Sequence, residues 1–169
     1  MKNLRMMAAT SVLATSVFCM AGATSASATS LTWMTTHIYM GSHLISSAPH
    51  VVAIDPWSGQ ETSYMAVSSL RTMLSSFHIR SQWNGVTLTL TAPSGWLVSA
   101  AGAPQPVPAY PNSYQMYLVI GGGQFGRFPK LMIHGTTYAP VYYINQVLVS
   151  RFLMTGHWHG NTWTLKSQK

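Results

Sequence analysis

Two segments of the chain carry apolar residues at the spacing of an amphipathic helix. The first segment has them at Val67, Leu70, Met73, Leu74 and Phe77. The second repeats the first four of these positions at a constant offset of 74 residues, at Val141, Ile144, Val147 and Leu148. Because residues at this spacing share one face of a helix, the pattern predicts two short helices whose apolar faces enter a core.

Stretches typical of strands flank both helical segments. After each helix, threonines alternate with the apolar residues Leu88 and Leu90, or with Trp163 and Leu165. A period of two places these four side chains on the strand face towards the helix, with the threonines outward. Before the helices, further strands are predicted at 38–40, 51–54, 116–120 and 131–133.

The order of predicted elements occurs twice. Trp83-Asn84-Gly85 follows the first helix and Trp158-His159-Gly160 follows the second, and each leads into a Thr-x-Thr-Leu strand. Between the copies, residues 93–113 contain five prolines and predict an extended connector. The repetition therefore predicts an α+β chain of two tandem repeats, at residues 31–92 and 114–169.

This order of strands, tyrosine, short helix and Trp-x-Gly-x-Thr-x-Thr-Leu resembles the N-terminal stalk domain of copper amine oxidases, which also occurs in secreted proteins of Gram-positive bacteria. The resemblance covers both copies. It implies that each repeat is a small antiparallel β-sheet curled around one α-helix, at the cell surface. The first copy has Ala66 where the family often has proline. Because the stalk is not the catalytic part of the oxidase, the resemblance implies a non-enzymatic module without a cofactor.

Residues 1–28 have the three regions of a secretory signal peptide. Lys2 and Arg5 form the charged start, residues 6–23 are apolar or small, and Ala26-Ser27-Ala28 is a small-residue cleavage signal. The mature protein is thus predicted to begin near residue 29, to be secreted and to have no membrane span, with the cell wall as a candidate location. The only cysteine, Cys19, lies in the predicted signal peptide.

Charged residues are scarce, at 7% of the chain, and only two of them, Asp55 and Glu61, are acids. So few carboxylates leave few groups whose protonation can unfold the protein in acid, which predicts an acid-tolerant protein. The basic residues are scattered and form no run, so a nucleic-acid partner is not expected. The expected partner is a cell-envelope polymer or an extracellular protein.

His157-Trp158-His159 is the motif that most resembles a metal site. Alternation along a strand puts the two imidazoles on one face, where they suit a transition metal, and His134 is the candidate third ligand. The first copy has Asn84 at the position of His159, which favours a histidine on the surface of a turn. The chain also lacks the Asn-Tyr-Asp or Asn-Tyr-Glu sequence from which amine oxidases make their quinone. We therefore predict no metal site.

Residues 121–126 match the G-x-G-x-x-G pattern of dinucleotide sites. Such a site needs a helix directly afterwards and an acid about 20 residues later. Arg127-Phe128-Pro129 follows instead, and no acid lies beyond Glu61. A glycine-rich turn between strands is predicted here.

The chain offers little for hydrolytic chemistry. A pair of catalytic carboxylates would have to be Asp55 and Glu61, which lie in one predicted loop that they are expected to cap and solvate. No G-x-S-x-G sequence is present for a nucleophilic serine. We therefore predict no catalytic residues and no enzyme.

The repetition also sorts the tryptophans. Trp83, Trp158 and Trp163 occupy repeated or inward positions and are predicted to be core. The unmatched tryptophans are Trp33, Trp57 and Trp96. Exposed rings of this kind stack on sugars or anchor a protein partner, whereas rings folded onto the core serve stability. These three residues form the candidate binding surface.

Together, these features predict a secreted, non-enzymatic spacer or protein-interaction element. A carbohydrate- or cell-wall-binding module that uses exposed aromatic residues is the alternative. Binding of copper or another metal through His157 and His159 is the third hypothesis.

Overall fold

The computed structural model describes residues 31–99 and 114–168. The predicted signal peptide and most of the predicted connector lie outside the described residues. The described part is an α+β protein with two sheets and two helices, α1 (Val67–Ser76) and α2 (Val141–Ser150). Its strands are β1 (Thr32–Met40), β2 (His43–Ile54), β3 (Glu61–Ala66), β4 (Arg80–Trp83), β5 (Thr87–Thr91), β6 (Gln115–Ile120), β7 (Gly123–Pro129), β8 (Leu131–Ile133), β9 (Thr136–Pro140), β10 (Thr155–His159) and β11 (Thr162–Lys166).

Both helices bury the apolar faces that their spacing predicts. The buried residues are Val67, Leu70, Met73 and Leu74 in α1 and Val141, Ile144, Val147 and Leu148 in α2. Pro140 precedes α2 with φ −70°, a value that its ring favours and that leads directly into a helix. Over residues 31–99 and 114–168, no helix is long and apolar enough to cross a membrane.

Both sheets combine strands from the first half of the chain (residues 31–99) and the second half (residues 114–168). The larger sheet has the order β10-β11-β1-β2-β3-β9-β8 and the smaller one the order β4-β5-β6-β7. β1 lies parallel to β11, with Ile38 beside Trp163, and β5 lies parallel to β6, with Leu88 beside Leu118. Each half thereby pairs a strand edge that the other half leaves open. Two repeats that each form their own antiparallel sheet are therefore not confirmed.

The main core is shared in the same way. It combines first-half residues such as Phe77 and Leu90 with second-half residues such as Phe152 and Leu165, all of them buried. Leu88, Leu90, Trp163 and Leu165 point into this core, as the alternation with threonine predicts. Trp83 and Trp158 are half-buried and pack against it. Burial of one large apolar side chain contributes about 1.5–3 kcal/mol to the free energy of folding. Because each half buries several such side chains against the other, each half depends on the other for much of its stability.

The glycine-rich segment is the turn of a hairpin. Ile120 of β6 pairs with Gly123 of β7, which leaves Gly121 and Gly122 as a two-residue turn. Their φ values are 59° and 85°. A two-residue type I′ turn matches the twist of a hairpin and requires positive φ at both central residues. Glycine adopts positive φ without steric cost. The predicted turn between strands is thus confirmed.

Candidate functional site

A cleft of about 240 Å³ lies where the two halves of the chain meet. We call it the α2 cleft. Its walls come from β3, from the first turns of α2 and from β10. The lining residues are Glu61, Thr62, Ser63, Val141, Tyr142, Asn145 and Trp158. Because the walls belong to both halves, the cleft exists only when the halves are packed together.

The polar wall of the α2 cleft includes the amide of Asn145, which a buried residue of the core holds in place. The Asn145 Oδ1 atom accepts a hydrogen bond of 2.9 Å from the indole Nε1 of Trp163, which is fully buried. Gly156 makes room for this amide, because a Cβ atom at residue 156 would lie 2.1 Å from Asn145 Oδ1. The orientation of Asn145 is therefore determined by a tryptophan that does not itself line the cleft.

The aromatic wall consists of Trp158 and Tyr142. Trp158 is half-buried and lies against Trp163, with ring centroids 6.1 Å apart. Tyr142 is 56% exposed, and its hydroxyl accepts a hydrogen bond of 2.6 Å from Gln146 Nε2. One ring is thus fixed by the core and the other stands at the surface.

A neutral histidine supports Trp158 from a second side. The ring of His50 meets that of Trp158 edge to face, with centroids 5.9 Å apart. His50 is buried, and its Nδ1 is hydrogen-bonded to Thr36 Oγ1 at 2.8 Å. Burial lowers the pKa of His50, because the charged form would lose its hydration. The aromatic wall is therefore backed by an uncharged ring in neutral solution.

The three tryptophans of the candidate binding surface have different surroundings. Trp57 and Trp96 are half-buried and pack against the main core. Trp57 also meets the ring of Tyr143, with centroids 5.7 Å apart. Trp33 is 50% exposed and lies edge to face on Tyr138 at 5.8 Å. Of the three, Trp33 exposes the largest part of its ring to a partner.

The structure separates His134 from the other two histidines of the candidate metal site. His157 and His159 are exposed and lie on the same side of β10. His134 lies in the turn between β8 and β9, and β8 and β10 are the two opposite ends of the larger sheet. Within the part of the chain that the structure describes, no three His, Cys, Asp or Glu side chains lie close enough to hold a metal ion.

Asp55 is buried, although the sequence predicts a solvated loop residue. Its Oδ1 accepts a hydrogen bond from the Trp57 backbone N–H at 2.9 Å, which caps the loop as predicted. Its Oδ2 accepts hydrogen bonds from Ser58 Oγ at 2.8 Å and from the Tyr143 hydroxyl at 2.6 Å. Tyr143 belongs to α2, so this carboxylate joins the two halves. Glu61, by contrast, is exposed at the rim of the α2 cleft.

The phenols beside Asp55 are held in their protonated form. Burial, and then the hydrogen bond to Asp55, raise the pKa of Tyr143 above its usual value. Burial, and then the charge of Asp55, raise the pKa of Tyr64. An unfolded tyrosine loses its proton near pH 10. Above that pH the unfolded chain binds fewer protons than the folded one, so the free energy of unfolding falls as pH rises.

Tyr143→Phe is expected to lower the free energy of unfolding by about 1.5–3 kcal/mol at pH 7, because the buried Asp55 carboxylate loses a donor. In the wild type, each of the two phenols is expected to add a loss of up to about 1.4 kcal/mol per pH unit above pH 10, and the variant should show only the loss due to Tyr64. Urea unfolding at a series of pH values measures both effects.

Tyr142→Phe is the matched control for this prediction, because it removes a hydroxyl from the exposed neighbour. Its stability should stay within about 0.5 kcal/mol of the wild type at pH 7. If Tyr143→Phe and Tyr142→Phe lower the free energy of unfolding equally, the hydrogen bond from Tyr143 to Asp55 does not contribute more to stability than an exposed hydroxyl does.

The sequence did not single out Tyr142 and Asn145 as site residues. A signal was nevertheless present, because the corresponding positions of the first helix are Ser68 and Arg71. The apolar positions of the two helices correspond, whereas these surface positions differ in chemistry. Surface positions of the helices that differ between the two copies were thus a signal for candidate site residues, as the tryptophans without a counterpart were.

No protein-family model matches the chain, and no curated protein or solved structure is significantly similar to it.

Proposed function

We propose that this protein is a secreted, non-enzymatic binding module that holds a carbohydrate of the cell envelope in the α2 cleft. The observation that carries this proposal is the combination of two aromatic rings, Tyr142 and Trp158, with the carboxylate of Glu61 and the amide of Asn145 around one cleft. Rings stack on the apolar faces of sugars, and carboxylates and amides hydrogen-bond their hydroxyls. This arrangement favours the carbohydrate hypothesis over a spacer without a ligand.

The size of the cleft supports a small ligand. Clefts for drug-sized molecules usually measure about 300–1,000 Å³, whereas the α2 cleft measures about 240 Å³. A single sugar ring at the end or the side of a polymer is of suitable size. The polymer would then continue outside the cleft, past the exposed ring of Tyr142.

The positions of the two acids support a binding role without catalysis. Cleavage of a glycosidic bond by the usual mechanism needs two carboxyl groups that face the same bond. Asp55 is buried, and its carboxylate accepts bonds from the Trp57 backbone, Ser58 and Tyr143. Glu61 would therefore act alone in the α2 cleft, where it can orient a sugar.

The spacer function remains a second candidate, and the shared core favours it. We infer that the two halves are duplicated copies related to the stalk domains that the sequence resembles, because both contain a ten-residue helix followed by a hairpin. Two independent domains on a flexible linker would move relative to each other. Two halves that share sheets and a core would instead hold the two ends of the folded unit at a defined distance. Such a rigid unit suits a surface protein. Because the chain has only two acidic residues, few groups would become protonated in an acidic exterior, which suits a protein at such a surface.

Co-sedimentation with purified envelopes of the source organism tests the carbohydrate proposal. Tyr142→Ala is expected to weaken binding about tenfold, which corresponds to about 1.4 kcal/mol of lost contact. Glu61→Gln should weaken it in the same direction. Tyr114→Ala is the matched control, because Tyr114 is also a largely exposed tyrosine, at 61%, and does not line the cleft.

Two outcomes would contradict the proposal. If the wild type does not bind envelopes at acid or neutral pH, the protein binds no envelope carbohydrate and the spacer function is favoured. If the wild type binds but folded Tyr142→Ala and Glu61→Gln bind equally well, the ligand lies outside the α2 cleft.

A further inference from the structure

A second groove, of about 800 Å³, runs between α1 and β4 in the first half of the chain. We call it the α1 groove. Its three basic residues are Arg71, His78 and Arg80. The other lining residues are Ser68, Thr72, Ser75, Ile79, Ser81 and Gln82. Among the residues that the structure describes, no carboxylate lines the groove, which is therefore basic for a chain with so few charges.

Both acids of the chain are placed elsewhere. Asp55 is bonded to Ser58 and Tyr143, and Glu61 lines the α2 cleft. Within residues 31–99 and 114–168, the guanidinium groups of Arg71 and Arg80 therefore have no carboxylate in the groove to neutralise them. An anion from outside the protein can supply that charge, and guanidinium groups bind carboxylates and phosphates in a bidentate manner.

Hydrogen bonds within the groove determine which groups remain available. Arg71 Nη2 donates to the Ser81 carbonyl oxygen at 3.3 Å, so the guanidinium spans the groove from α1 to β4. The hydroxyl of Thr72 donates to the Ser68 carbonyl at 3.2 Å, and that of Ser75 donates to the Thr72 carbonyl at 2.7 Å. Because these hydroxyls use their protons on the helix, their oxygens remain available to a ligand only as acceptors. The groove thus combines cationic donors for an anion with acceptors for hydroxyl groups.

His78 occupies a strained backbone position beside this groove. It follows the end of α1 with φ 59°, in the left-handed region where helices usually place glycine. The backbone N–H of His78 bonds the Ser75 carbonyl at 2.9 Å, which completes the end of the helix. The exposed imidazole therefore stands at the groove at a steric cost that glycine would avoid. Leu153 has the same left-handed conformation after α2, with φ 51°, so this turn belongs to both halves and only the imidazole is particular to the α1 groove.

We propose that the α1 groove binds an acidic polysaccharide, a polymer that carries both carboxylates and hydroxyls. Arg71 and Arg80 bind its carboxylates, His78 adds a hydrogen bond, and the oxygens of Thr72 and Ser75 accept bonds from its hydroxyls. The groove is open to solvent and, at about 800 Å³, has room for a segment of a polymer. This site is separate from the α2 cleft and does not depend on the function proposed for that cleft.

Binding of polygalacturonate to the full mature chain at low salt tests this proposal. The double variant Arg71→Gln and Arg80→Gln is expected to weaken binding at least tenfold. The control variant, Arg127→Gln with Lys166→Gln, removes the same charge outside the groove and should change binding less than about threefold. Thermal melting shows whether each variant is folded.

His78→Gly separates binding from stability. The change removes the imidazole and relieves the left-handed strain, so the variant is expected to melt at the same temperature as the wild type or higher and to bind polygalacturonate several-fold more weakly. Unchanged binding by this folded variant would remove His78 from the site.

Neutral dextran and polyphosphate define the ligand chemistry. Dextran has hydroxyls without charge, and polyphosphate has charge without hydroxyls, so both should bind more weakly than polygalacturonate. Equal binding of polyphosphate would overturn the role of the hydroxyl acceptors. Equal losses in the groove variant and the control variant would overturn the site itself and indicate general attraction of a basic protein to polyanions.

Discussion

The first half of the chain, residues 31–99, is expected to be unfolded when it is produced alone. In the protein its strands β1, β3 and β5 pair with β11, β9 and β6 of the second half. A separate first half would leave these three edges unpaired and expose its side of the shared core. The expected loss is the whole free energy of folding, about 5–15 kcal/mol for a protein of ordinary stability.

Circular dichroism of each half alone, and of an equimolar mixture, measures this effect. We expect no cooperative melting for either half and a cooperative transition for the mixture. The control is a chain of residues 29–169 cut once within residues 100–113, which should keep its fold because the described strands and helices remain intact. A monomeric first half that melts cooperatively would contradict the prediction and support two independent repeats.

The substitution Gly156→Ala is expected to lower the free energy of unfolding by about 2–4 kcal/mol. The new Cβ atom would lie 2.1 Å from Asn145 Oδ1 and 3.1 Å from Val149 Cγ2. Asn145 would have to move, and the buried Nε1 of Trp163 would lose its acceptor. The substitution thus combines overpacking with an unsatisfied buried donor, although it adds only a methyl group.

Gly123→Ala is the matched control. Gly123 is also in a strand, its φ is not in the left-handed region, and the nearest atom to a new Cβ is 3.8 Å away. Its stability should therefore change by less than about 1 kcal/mol. Urea unfolding of both variants provides the comparison. A Gly156→Ala protein as stable as the control would show that Asn145 is not needed to satisfy Trp163.

Gly156 links the stability of the fold to the α2 cleft through Asn145. Asn145 both accepts the bond from Trp163 and lines the α2 cleft. A Gly156→Ala protein that stays folded should therefore bind envelopes more weakly, because the displaced amide changes the polar wall. The control Gly123→Ala should bind as the wild type does, since Gly123 lies in β7, away from the cleft.

Local patterns in the sequence were sufficient for the elements themselves. The buried faces of α1 and α2, the inward positions Leu88 and Trp163, and the turn at Gly121 all follow from periodicity or from the backbone freedom of glycine. These features depend on neighbours within a few residues. The sequence therefore determined which segments become helices and strands and which side of each enters a core.

Only the tertiary structure decided which strands pair and where a site lies. The parallel pairing of β1 with β11 joins residues such as Ile38 and Trp163, which are more than a hundred positions apart in the chain. Local periodicity does not indicate which distant strand will be the partner. The α2 cleft likewise combines Glu61, Tyr142 and Trp158, whose separations in the chain show no motif. Burial of Asp55 also required a phenol from the other half. Pairing and sites depend on long-range packing, because the free energy of burial is gained only when distant segments meet.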